Sequence, residues 1–319
     1  MKKNIFLLSI LALLVNCSKE SKVENKISKI EIQLDFENFH QQYFSTTPEK
    51  FQDLKQKFPY LFPKNIEDSV WLSKLQESDE KILFEKVDSV FENLSNEKEA
   101  ILNLYKHISY YNSSFKAPKT ITVISNLDYE HPIIYADTLA FVSLDMFLGK
   151  DSEVYSSFPK YIANTFTKEQ LIVALAREIS KRQFYIKNGR SFIETMLYHG
   201  KKLYLLEKLL PDTPKYDLIG YSEEQYNWAL ANEGMIWSYF VSNEMLFSTD
   251  KSLNKRFIDK APFSKFYMDL DARTPGSIGK WVGYAIVKAY AARNQNTLQE
   301  ILTLDAETLF VKSKYKPKK

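Results

Sequence analysis

The chain has 319 residues, 45% of them apolar, and 43 Lys and Arg face 40 Asp and Glu for a formal charge of +3. A balance this even gives no reason to invoke nucleic acid, and a chain of this length can bury a sizeable core in one large domain or two intimate lobes. Its single cysteine, Cys17, leaves no pair for a disulfide, so packing must hold the fold.

Residues 1–16 begin with Lys2 and Lys3 and continue as an apolar run that is too short to cross a bilayer, which predicts an export signal. The run ends in "LLVNC", which resembles a bacterial lipobox: Leu14 stands three residues before Cys17, the expected site of lipidation and the new N-terminus. Asn16 departs from the small residue usual at that place. Cleavage removes Lys2 and Lys3 and lowers the formal charge by two. No later stretch is apolar and long enough for a membrane helix, so the chain is expected to hang from its lipid. Residues 17–28 are charged and predict a flexible tether.

From 29 to 115 the pattern predicts one strand and a helical lobe. Ile30, Ile32, Leu34 and Phe36 alternate with polar residues, as in a half-buried strand. A helix starts near Thr47 and Pro48 and puts Phe51, Leu54 and Phe58 on one face. Two more helices follow over 79–94 and 96–110. Residues 116–310 form the second predicted part. Ile121, Val123 and Ile124 signal a strand, with further strands near 133–136 and 140–144. Helices are expected from Thr167, over 189–210, 223–247 and 276–293, and briefly at 296–303. Gly276, Gly279 and Gly283 allow another backbone to approach closely. Residues 311–319 read as a basic, disordered tail. The fold class that follows is α+β, predominantly helical, with a small sheet.

The helix from Thr167 contains Arg177, Glu178, Ile179, Ser180 and Lys181. In a zinc peptidase the pattern HExxH sets two imidazoles four residues apart on one helix face, and the glutamate between them activates water. Arg177 and Lys181 stand where the histidines would be, and neither ligates zinc while protonated. On these residues alone a coincidental charged helix face is the better explanation, since RExxK is a weak pattern. Downstream, "ANEGMIWSYF" carries Glu233 followed by Gly234, the arrangement in which glutamate-type zinc peptidases supply a third ligand. His40, His107, His131 and His199 are too scattered in sequence to suggest a replacement ligand set. Neither a G-x-S-x-G elbow nor a nucleotide-binding P-loop occurs.

Taken together, "FQDLKQKFPYLFP", "PKTITVISN", "FPKYIANTF", "ANEGMIWSYF" and "TPGSIGKWVGYAIVKAY" resemble the gliding-motility lipoprotein B family over nearly the whole chain. That family is similar in turn to predicted zinc peptidases, whose HExxH falls at Arg177 to Lys181. The resemblance implies a degenerate zincin-like core of the glutamate-zincin type. It also implies a role in gliding with envelope proteins of the type IX secretion pathway, and no known catalysis, metal or cofactor. Cys17 would be the lipidation site, and Arg177, Glu178, Lys181 and Glu233 the remains of a metal site. If Glu178 and Glu233 still faced that site, Arg177 or Lys181 would be expected to pair with Glu233. A groove that binds a partner, a bare scaffold and a hydrolase with unusual ligands all stay open on the sequence.

Overall fold

The computed structural model describes residues 22–318, so Cys17 and the signal segment lie outside the described residues. The tether prediction fails over residues 22–27, which form a helix, α1. Val23 and Ile27 are four residues apart and share one helix face, and Ile27 is buried. Glu24 meets the His107 ring at 3.2 Å.

The first strand is shorter than predicted. Burial alternates from Ile30 to Phe36, but only β1 (Phe36–Glu37) pairs with a neighbour. A small aromatic cluster follows, built by α2 (Phe39–Phe44), α3 (Phe51–Lys57) and α4 (Asp68–Lys74). It buries Tyr43, Phe51, Leu54, Phe58, Phe62 and Leu75. Phe62 meets Trp71 edge-on at 5.2 Å, and Tyr43 Oη donates to the Trp71 carbonyl at 2.7 Å. Helices α5 (Ser78–Val90) and α6 (Ser95–Tyr111) match the expected stripes and turn Leu83, Val87, Leu104 and Ile108 inward.

Four strands form one sheet in the order β1-β2-β4-β3, made of β1, β2 (Lys119–Val123), β3 (Ile133–Ala136) and β4 (Leu139–Ser143). The β1–β2 and β2–β4 pairs are parallel, while β3 returns antiparallel to β4 as an edge. Burial fits these places: β2 buries three successive residues in the middle of the sheet, and β3 alternates buried with exposed. The main core runs from Val87 to Leu309 with no break at residue 115.

After α7 (Lys160–Ala163), α8 (Lys168–Gln183) lies beside β3 and against α6. It also packs on α9 (Phe192–Leu209), which opens with a capping box between Ser191 and Glu194. The short α10 (Lys215–Ile219) ends at Gly220, whose φ of +82° suits a residue without a side chain. The single helix predicted over 223–247 is two, α11 (Glu223–Ala231) and α12 (Glu233–Ser242). Asn232 separates them because its side-chain amide bonds back to the Trp228 carbonyl at 2.8 Å and its backbone leaves helical geometry.

Helix α13 (Ser252–Phe257) leads to α14 (Ile278–Arg293), followed by α15 (Leu298–Thr303) and α16 (Ala306–Ser313). The glycine reading holds: a β carbon on Gly283 would stand 1.8 Å from the Met196 carbonyl oxygen, so α14 lies directly on α9. The disordered tail does not. α16 covers part of residues 311–319, Leu309 and Ser313 are buried, and the Tyr315 ring meets Trp237 at 5.1 Å. Aromatic surface on α12 gives the tail something to bury against, which a reading by charge alone overlooks.

Candidate functional site

Helix α8 turns Leu171, Leu175 and Ile179 into the core. Each residue advances about 100° around an α-helix, so Arg177 and Lys181 share the face roughly opposite that stripe. There they line a cavity of about 680 Å³ together with Ser180 and Arg182. Helix α9 adds Tyr198, His199 and Lys202, and the first turn of α14 adds Lys280. Lys260, Ala261 and Pro262 come from the loop before α14, and Ile219, Gly220 and Tyr221 from the end of α10.

The close crossing of α9 on α14 sets these cations around one space. A β carbon on Gly200 would lie 2.2 Å from the Gly283 carbonyl carbon, and both glycines sit one turn or less from the cavity lysines on their own helices. His199 and Lys202 flank Gly200, while Lys280 lies between Gly279 and Gly283. Close packing thus carries charge into a partly enclosed site.

No Asp or Glu is among the residues that line the cavity. Arg177 donates its one hydrogen bond among the described residues to the Leu218 carbonyl, at 2.5 Å. Burial pulls its guanidinium down to about 10, which leaves it protonated at neutral pH. Lys260 reaches Thr165 Oγ1 at 3.4 Å, and Lys202 stands 4.1 Å from the centroid of the Tyr198 ring. Burial, then Arg177, push Lys280 down to about 8, with Lys202 and Lys260 adding to the effect and Asp259 opposing it. Burial also holds Lys260 below the usual lysine range, with Arg177 second. His199 is pushed down to about 3 by burial and by Lys280 and Lys202, so its ring is neutral at pH 7. The groups disfavour one another's charge because nothing inside the cavity neutralises them.

The four sequence-derived positions divide. Arg177 and Lys181 face the cavity, whereas Glu178 and Glu233 do not line it. Glu178 is one residue round the helix from Arg177 and forms an ion pair with Lys181 at the rim. Glu233 opens α12, and its buried carboxylate accepts a hydrogen bond from Tyr315 Oη at 2.7 Å. The expected pairing of Arg177 or Lys181 with Glu233 is therefore corrected: a backbone carbonyl holds Arg177, Glu178 holds Lys181, and a tyrosine of the C-terminal segment holds Glu233. Among the described residues no three His, Cys, Asp or Glu side chains are grouped to hold a metal ion. At the cavity His199 is a single neutral imidazole among cations, with no second histidine, cysteine or carboxylate beside it in the lining, a set that does not fit zinc.

The sequence reading did not single out Lys202, Lys260 or Lys280 as site residues, and treated His199 only as an isolated histidine. The available signal was polar residues beside the glycines of a close helix crossing. Such positions are drawn toward the interior with their neighbours.

A family model described as Gliding motility protein GldB matches residues 20–317. No curated protein and no solved structure matches the chain.

Proposed function

The chain belongs to the gliding motility protein GldB family, and from that premise we propose that it serves gliding as a lipid-anchored, non-catalytic component of the cell envelope. In this reading Cys17 carries the lipid, and the folded part works through binding or assembly with other envelope proteins of the gliding and type IX secretion machinery. The cleft beside α8 is the relic of a zincin-like site. Among the described residues no helix is long and apolar enough to cross a membrane, which is in keeping with attachment through Cys17.

The observation that carries the non-catalytic part is the placement of Arg177 and Lys181. They stand where the resemblance puts the two histidines of the peptidase pattern and line the cavity of about 680 Å³, while both carboxylates are engaged elsewhere. Hydrolysis needs an activated water or nucleophile in such a cleft, and fixed cations supply neither by themselves.

Complementation tests this reading. In a gliding bacterium lacking its own copy, the unaltered chain should restore cell movement and Cys17→Ala should not, at equal protein levels. Glu178→Gln, which would disable a water-activating glutamate, should still restore movement. Failure of Glu178→Gln at normal abundance would count against a non-catalytic role.

A further inference from the structure

The cationic cavity has more positive charge than its surroundings balance. Arg177, Lys202, Lys260 and Lys280 all line it, and among the described residues none of them forms an ion pair with a carboxylate. Lys181 and Arg182 stand at the rim, engaged by Glu178 and Asp137. Like charges around a partly enclosed space raise the energy of the unoccupied protein, and a negatively charged occupant relieves that cost.

The rest of the wall narrows the choice of occupant. Tyr161, Phe184, Tyr198, Leu203 and Leu206 add apolar surface to the lining, and about 680 Å³ is the size of a small-molecule site. One carboxylate would leave most of the charge unmatched, whereas a phosphate monoester brings roughly −1.5 to −2 and three acceptor oxygens at pH 7. The four remaining N–H groups of Arg177, beyond the one given to Leu218, suit such oxygens.

We propose that this cavity binds an organic phosphate, with Arg177, Lys202 and Lys280 on the phosphate and the apolar lining residues against the organic part. The proposal rests on reading the cavity as a binding site and is separate from the role in gliding. The phosphate could belong to a soluble metabolite or to a lipid headgroup near the anchor, and the chemistry of recognition is the same.

The test uses the full chain in uncharged detergent, titrated calorimetrically with inorganic pyrophosphate, with dihexanoyl phosphatidic acid below its micelle concentration, and with dihexanoyl phosphatidylcholine. Pyrophosphate and phosphatidic acid binding alike would assign recognition to phosphate itself. Binding of phosphatidic acid alone would assign it to a lipid headgroup. Either result supports the site, provided that Arg177→Met and Lys280→Met each weaken binding at least about tenfold, that Lys312→Met at an exposed position of α16 does not, and that added salt weakens it too. Circular dichroism on each variant separates lost binding from lost folding, and Lys202→Met provides a second variant on a different helix. Absence of binding to both phosphates, or binding unchanged in folded Arg177→Met and Lys280→Met, would overturn the proposal. Hydrolysis of pyrophosphate by the unaltered chain would sink the non-catalytic reading while leaving phosphate recognition standing.

Discussion

Gly200 on α9 and Gly283 on α14 touch backbone to backbone, with the position of a β carbon on Gly200 only 2.2 Å from the Gly283 carbonyl carbon. This crossing packs α14 along α9 and holds His199, Lys202 and Lys280 around one cavity. A methyl group here has to push a helix backbone, since no flexible side-chain end is available to yield. Gly283→Ala should therefore destabilise the protein by roughly 1–3 kcal/mol or more, visible as a lower melting temperature. An unchanged melting temperature would mean that the helices are not in contact there.

The Tyr315 hydroxyl gives the buried Glu233 carboxylate its donor. Tyr315→Phe keeps the ring against Trp237 but removes that donor, and should cost about 1–3 kcal/mol in thermal or denaturant unfolding. Glu233→Ala should be comparable because Tyr315 then loses its acceptor. A dispensable tail predicts no effect from either change.

Lys280 predicts a gain. Its ammonium is held down at about 8 from the usual 10.5 by burial and by Arg177, so the folded chain holds this proton less tightly than the unfolded chain does. The resulting penalty is fully present below about pH 8 and fades as the pH rises toward 10.5, where both states release the proton. Lys280→Met should thus be more stable than the unaltered chain at pH 7, by on the order of 1–2 kcal/mol after allowance for solvent screening. The advantage should shrink between pH 8 and 10. Denaturant midpoints of the two chains across that range provide the comparison, and the difference between them cancels other titrating groups.

Periodicity made most of the long helices legible, because stripes such as Leu83 and Val87, or Leu171, Leu175 and Ile179, are buried as their spacing requires. It served less well where local chemistry competed. Asn232 breaks one predicted helix into two, and α4, α10 and α13 are too short for a stripe to stand out. The order of residues 311–318 is hidden by their lysines, because Ser313 and Tyr315 are held by structure and the Tyr315 partner Trp237 is distant in sequence. At the site, the spacing of Arg177 and Lys181 correctly gave a shared helix face. The place of Glu233 depended on α12 and the C-terminal segment, which no local pattern specifies.

Elemental analysis tests directly whether cations have replaced a metal beside α8. The full chain, purified in uncharged detergent without chelator, should contain zinc far below one ion per chain, with no change in Glu178→Ala, Glu233→Ala. Near-stoichiometric zinc that disappears in this double variant would contradict the account and return catalysis to the cleft.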